Sequence, residues 1–205
     1  VAIGDQALDL AALANAKLLT GAAGEALALA AQPTLNAFMA AGPEAWRALR
    51  HALFALLREG APAEAEAAVR AGLLPLAEVE YTLPARVGDY TDFYTSLDHA
   101  VNCMRIMRPD ADAPANFRWL PQAYHGRVST LGVSGQRFHR PRGQWLPPGA
   151  SAPVFAPCAA MDYECELALW IGPGNAAGQP IPIARAQEQL FGISLLNDWS
   201  ARDIQ

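Results

Sequence analysis

The sequence predicts a mainly β fold of the α+β class. Three observations predict it. Apolar residues recur at helical spacing up to about Val79. After about Glu80 that periodicity gives way to Gly, Pro, aromatic and clustered polar residues. One run, YECELALWI at residues 163–171, carries the clearest strand pattern.

The elements follow in order. VAIGDQALDL reads as a strand, a turn at Gly4–Asp5 and a second strand. From Pro43, the residues Trp46, Leu49, Leu53, Leu56 and Leu57 repeat at helical spacing. Pro43 suits the first turn of that helix and Gly60 its end. A further helix is predicted over 63–70, stopping near Gly72. This half shows no chemistry and reads as a packing or docking domain. Beyond it, Gly126, Gly132 and Gly135 punctuate short apolar runs such as 130–133, and Pro141, Pro147, Pro148, Pro153 and Pro157 follow. That pattern predicts short strands joined by many turns. Residues 183–190 read as a short helix with Gly192 after it. Residues 194–196 read as a buried strand running into Asn197–Asp198.

Bulk composition narrows the function. The 205 residues are 52% hydrophobic and 17% charged, enough to bury a core and too apolar for a disordered chain. The formal net charge is -5 with no offsetting basic patch, which argues against nucleic acid. Cys103, Cys158 and Cys165 form no CxxC, and an odd count gives no disulfide framework, so a reducing, cytoplasmic setting is expected. No apolar run is long enough for a membrane span, and the start has no basic region of a signal peptide. Lys17 is the only lysine, so a mechanism needing a catalytic lysine must find it elsewhere.

The strand at 163–171 concentrates the chemistry. Alternation puts Glu164, Glu166 and Ala168 on one face and Tyr163, Cys165, Leu167 and Leu169 on the other. Two neighbouring carboxylates on an apolar strand either face solvent from a sheet edge or share a cation that relieves their repulsion. Asp198, after the run ISLL, is either a third such carboxylate or a helix cap for WSARD. Asp92, in DYTDFY, is a fourth. Four carboxylates without a His–Cys cluster favour Ca²⁺ or Mg²⁺ over zinc. His99, seven residues after Asp92, is a candidate general base, and His125 in YHGR competes with it. His51 and His139 read as structural or surface residues. Arg108, Arg127 and Arg202 suit bidentate contacts to carboxylates of a substrate, or ion pairs at the surface.

Taken in order, DYTDFYTSLDHAVN, LPQAYHGRVSTLGVSGQ, MDYECELALWIGPGN and FGISLLNDWSARDIQ closely resemble the fumarylacetoacetase family, and VAIGDQALDL and QPTLNAFM resemble its N-terminal region. The resemblance covers essentially the whole chain. It implies a small SH3-like β domain with helices over 1–82 and, over 83–205, the first part of a mixed β-sandwich roll, assembled as a homodimer. It implies Asp92, Glu164, Glu166 and Asp198 as ligands of Ca²⁺ or Mg²⁺, and His99 as the base that activates water. Tyr94, Arg108 and Tyr124 match substrate-holding residues, while Arg202 and Gln205 match groups that stabilise charge developing on substrate oxygens. The implied reaction is hydrolysis of a carbon–carbon bond in a small diketo acid, the last step of tyrosine and phenylalanine breakdown. The one departure near a motif is CMRIM after His99, where the family carries smaller residues.

The family pattern continues past Gln205 to a lysine, a glutamate that orients the base histidine and a substrate-site threonine. Lys17, in the N-terminal region, cannot replace that lysine. The expectation is that these 205 residues are part of a longer enzyme and inactive alone, because a base without its orienting carboxylate is weak. Two rival readings follow. One is another member of the wider superfamily acting on acylpyruvates or related diketo acids. The other is a fragment that binds metal or a partner and turns nothing over.

Overall fold

A two-residue loop at Gly4–Asp5 joins β1 (Ala2–Ile3) to β2 (Gln6–Leu8), with Ile3 opposite Gln6. Gly4 adopts φ +58°, the left-handed conformation that glycine takes without a Cβ penalty. Helix α1 (Leu10–Asn15) starts at Asp9, whose carboxylate accepts the Ala11 N–H at 2.8 Å. Four more helices follow: α2 (Gly21–Ala30), α3 (Asn36–Ala40), α4 (Gly42–Leu57) and α5 (Ala63–Ala71). Strand β3 (Leu73–Pro75) returns to pair with β2 and completes a three-stranded sheet. The computed structural model from which these elements are taken describes residues 1–110 and 112–205.

The helical spacing predicted from Pro43 is realised in α4, where Leu49 and Leu53 are buried and His51 is exposed. They pack with Leu8, Leu13, Leu27, Phe38 and Val69 in one core cluster. The helix expected over 63–70 is α5, ending at Gly72. Residues 1–85 are therefore dominated by helix, with the strands confined to one small sheet.

Residues 86–134 form a separate compact unit. In it β4 (Thr91–Phe93) pairs with β5 (Ala123–His125), placing Asp92 opposite Tyr124. Helix α6 (Leu97–Met107) runs between them. The expected strand around 130–133 does not form: Val128–Thr130 is a 3₁₀ turn and the next residues are irregular. Three apolar or β-branched residues interrupted by Gly132 are too few to specify a strand.

Residues 135–205 belong to the same unit as residues 1–85. Strands β6 (Arg142–Trp145) and β7 (Val154–Pro157) pair as a hairpin. A longer ribbon is built from β8 (Met161–Asp162) and β9 (Cys165–Ile171) against β10 (Leu190–Asn197) and β11 (Ser200–Ala201). Reciprocal backbone bonds between Glu164 and Asp198, at 3.1 and 3.0 Å, join the two pairs of strands into one ladder. The helix expected over 183–190 is a 3₁₀ helix, Ile183–Gln189. Gly192 does not follow it as a cap but lies inside β10, where the register shifts. Phe191 beside that irregularity meets the rings of Phe38 and Trp46 edge-on, at 5.7 and 5.1 Å, which ties the ribbon to the helical core.

The strand expected to be buried at 194–196 is buried on one face only. Leu195 is 79% exposed, and Leu167 on the facing strand is 67% exposed. A run of apolar residues implies cover on both faces, whereas this ribbon is half-buried only on the face that carries Glu164, Glu166 and Leu196. The fold is thus mixed α and β, with one three-stranded sheet and four two-stranded ones among the described residues. No helix among those residues is long and apolar enough to cross a membrane.

Candidate metal and substrate site

The ribbon's half-buried face carries its carboxylates. Glu164 and Glu166 are two residues apart on one strand, and Asp198 sits opposite Glu164 on the other. Diagonal neighbours across an antiparallel pair lie on the same face within reach of long side chains. Glu166 and Asp198 accordingly bring carboxylate oxygens within 4.8 Å of each other. Both residues are half-buried. The register, with Glu166 opposite Leu196 and Cys165 opposite Asn197, fixes this convergence, because a slip of one residue would turn one strand's side chains to the face opposite the other's.

Glu164 has a different neighbour. Its Oε1 accepts from Nη2 of Arg202. Arg202 also donates from Nε to Asp162 Oδ2 at 3.0 Å and from Nη1 to Gln205 Oε1 at 3.1 Å. One guanidinium therefore gathers three side chains of the ribbon and its end. Glu164, and after it Asp162, hold Arg202 above the ordinary arginine range. Asp162 is held below the usual carboxylate range, first by the Tyr163 N–H and then by Arg202. Because arginine has only donors, Gln205 must turn its oxygen to Arg202, which leaves its amide nitrogen as the side that donates.

In the unit of residues 86–134, Ser96 caps α6 by accepting the His99 N–H at 3.3 Å. The His99 ring meets the Tyr94 ring edge-on at 5.3 Å, and its nitrogens lie 3.6 and 3.7 Å from Cys103 Sγ one turn on. Tyr94 also packs edge-on against Phe117 at 5.6 Å. Asp92 and Tyr124 face each other across β4 and β5. Asp92, Tyr94, Tyr124 and His99 are thus carried on three adjoining elements of that unit. Arg108 is not grouped with them along the helix: it ends α6, about 13 Å of helical rise from His99. His125, the rival base, lies 3.3 Å from Asp89 with both side chains exposed.

Comparison of the sequence with known proteins assigns it to a family. The model described as "Fumarylacetoacetase N-terminal" matches residues 1–84, and that described as "Fumarylacetoacetate (FAA) hydrolase C-terminal" matches residues 90–205. The chain belongs to the fumarylacetoacetase family. Among curated relatives, it is 46% identical to a fumarylacetoacetase of Oryza sativa subsp. japonica, 43% to one of Arabidopsis thaliana and 44% to one of Homo sapiens. Each match covers 100% of this chain and 48%, 49% and 49% of the relative. The chain spans about half the length of the curated relatives it matches.

The carboxylates present on the ribbon fit a hard divalent ion. Glu166 and Asp198 offer only oxygen, they converge, and their mutual repulsion on a half-buried face is relieved by an ion of opposite charge. Glu164, the third expected ligand on this ribbon, is engaged by Arg202. Two residues escaped the sequence reading. Asp162 holds Arg202, and its only signal was its alternation parity with Glu164 and Glu166. Asp203 accepts from Cys158 Sγ at 2.7 Å and from the Ala159 N–H at 2.6 Å. No local pattern announces a contact across that sequence distance.

Proposed function

We propose that the protein hydrolyses the carbon–carbon bond of 4-fumarylacetoacetate to fumarate and acetoacetate, the last step of tyrosine and phenylalanine degradation. The observation that carries the reading is the match of all 205 residues, at 43–46% identity, to proteins each named fumarylacetoacetase. The converging oxygens of Glu166 and Asp198 support it, since a β-diketone is a natural chelator of a hard ion.

In this reading Asp92, Glu164, Glu166 and Asp198 hold Ca²⁺ or Mg²⁺, and the ion when bound supplies Lewis-acid polarisation of the diketone. His99 takes a proton from water at a ring nitrogen as the oxygen adds to the ketone carbon on the fumaryl side. Arg202 and the Gln205 amide donate hydrogen bonds to the oxyanion that develops. Collapse of that tetrahedral carbon breaks the bond to the methylene carbon. The electron pair departs into the neighbouring ketone as an enolate, and a proton completes acetoacetate. Tyr94, Arg108 and Tyr124 hold the substrate. The edge-on contact between Tyr94 and His99 supports one task for the pair, orienting the base beside the substrate.

The family reading extends to architecture: an SH3-like N-terminal domain over 1–82, a β-sandwich roll beginning near 83, a homodimer and a cytoplasmic setting. The alternative is a related hydrolase of acylpyruvates or other diketo acids. The test uses protein expressed from its complete coding sequence, following loss of fumarylacetoacetate absorbance with Mg²⁺, Ca²⁺ or chelator, beside His99→Ala. Fast, ion-dependent cleavage abolished by the substitution is expected. A folded, ion-binding wild type that leaves this substrate intact refutes the reading and moves the acylpyruvate alternative forward.

A further inference from the structure

Asp162 has no role in the reading above, yet it is the residue that holds Arg202 from behind. Its two carboxylate oxygens are both committed: Oδ1 accepts the Tyr163 N–H at 2.8 Å, and Oδ2 accepts Arg202 Nε at 3.0 Å. The same Oδ2 lies 3.0 Å from Arg202 Nη2. The carboxylate is thus fixed by its own chain and grips the Nε edge of the guanidinium. The backbones are equally tied, since Asp162 pairs with Ser200 and the Arg202 N–H donates to Ala160 O at 2.9 Å.

We propose that Asp162 is a positioning residue, which orients the guanidinium of Arg202 so that its far edge meets Glu164 and Gln205. The physical case is one of rotational freedom. An arginine side chain has several soft torsions, and a planar fork gains directional value only when its rotation is fixed. Glu164 and Gln205 each contact a single terminal nitrogen, Nη2 and Nη1. Among the described residues, Asp162 is the one that engages Nε, the atom nearest the chain, and so sets the plane in which the other two contacts are made. With Asp162 removed, the Arg202 charge remains but its aim is lost. The kinetic part of this inference rests on the proposed function of Arg202; the geometric part does not.

The experiment places Asp162→Ala, Asp162→Asn and Asp162→Glu in protein expressed from the complete coding sequence, with Arg185→Ala as a control that breaks an ion pair elsewhere. Kinetics on fumarylacetoacetate and crystal structures are both read. Asp162→Ala is expected to lower kcat roughly tenfold to a hundredfold, below the loss for deleting an oxyanion donor itself, at little change in KM. Asp162→Glu recovers part of that loss. Combining Asp162→Ala with Arg202→Lys adds no further loss, because both act through one guanidinium. In the crystal structure of Asp162→Ala, the guanidinium leaves its contacts with Glu164 and Gln205. An unchanged kcat, fully additive losses in the double variant, or a guanidinium that stays in place each overturns the proposal. If Asp162→Ala does not fold, Asp162→Asn answers the same questions, since it keeps the shape and loses the charge. If the wild type does not cleave this substrate, the proposed reaction fails while the crystallographic comparison still decides the role of Asp162.

Discussion

Arg202 and Glu164 are joined through Nη2 and Oε1 across 38 residues of sequence, and the same guanidinium reaches Asp162 and Gln205. A cation of the protein thus stands beside a carboxylate that the family reading assigns to a metal ion. Both positive charges compete for the electron density of one carboxylate, so each weakens the other's hold on it.

That competition has a sign that can be tested. Removing the guanidinium with Arg202→Ala takes away a positive charge beside the proposed ion site. Affinity for Ca²⁺, read by calorimetry, is expected to rise a few-fold, while turnover falls by about 10²–10³ if Arg202 stabilises the oxyanion. A variant that loses ion affinity together with turnover would mean that Arg202 holds the ribbon's shape instead.

The ion itself should stabilise the folded protein, because the converging pair Glu166 and Asp198 exists only when the ribbon is formed. At a free ion concentration of 100 times Kd, one site adds about 2.7 kcal/mol, visible as a rise in Tm that a chelator reverses. Glu166→Gln and Asp198→Asn are each expected to remove most of that rise. Equal shifts in wild type and both variants would place ion binding elsewhere.

The parts of the fold that were legible in the sequence are those where one local rule acts without competition. Helix α4 follows from the spacing of Leu49 and Leu53, and the hairpin at Gly4 from its turn residues. The carboxylate face of the ribbon was legible for the same reason: alternation alone puts Glu164 with Glu166. Exposure of Leu195 was not legible, because an apolar strand residue carries no mark of which face has cover. Nor was the grip of Asp162 on Arg202, which depends on the register bringing Asp162 opposite Ser200. The family resemblance supplied roles for residues whose spacing alone left a surface reading open, His99 among them.

The start of α6 couples stability to the proposed base. Ser96 accepts the His99 N–H, so the cap holds the very turn that carries the imidazole. Ser96→Ala is expected to cost about 1 kcal/mol and to lower turnover through a frayed first turn, whereas Ser96→Asp, itself a good cap, preserves both. His99→Ala should leave the helix intact and reduce turnover by about 10²–10⁴, the usual contribution of a general base. Urea unfolding and steady-state rates separate the two effects; a Ser96→Ala protein of unchanged stability would show that the cap contributes nothing.

The contact between Cys158 and Asp203 predicts a pH dependence at both ends. Cys158 is 2% exposed, and burial first, then its bond to Asp203, pushes the thiol above its usual 9.0. It is thus a thiol, not a thiolate, at pH 8, while Cys165 is exposed and Cys103 half-buried. A disulfide reagent at pH 8 followed by mass spectrometry should label Cys165 and Cys103 well before Cys158. Asp203 is pushed the other way, below its usual 3.8, first by the Cys158 thiol and then by backbone N–H groups that include Ala159. A carboxyl with a lowered folded value stabilises the fold above its unfolded value and loses that contribution as pH falls through the lowered one. Asp203→Asn should therefore melt lower than wild type at pH 7, with the gap narrowing below about pH 4 as the wild-type carboxyl takes up its proton. A raised thiol runs oppositely, so its contribution is complete below the unfolded value and fades as pH rises through the raised one. Cys158→Ser should consequently differ most from wild type near neutrality and least in strong alkali. Early labelling of Cys158, or a gap between Asp203→Asn and wild type that persists unchanged into acid, would remove the thiol–carboxylate bond from the forces holding the end of the ribbon.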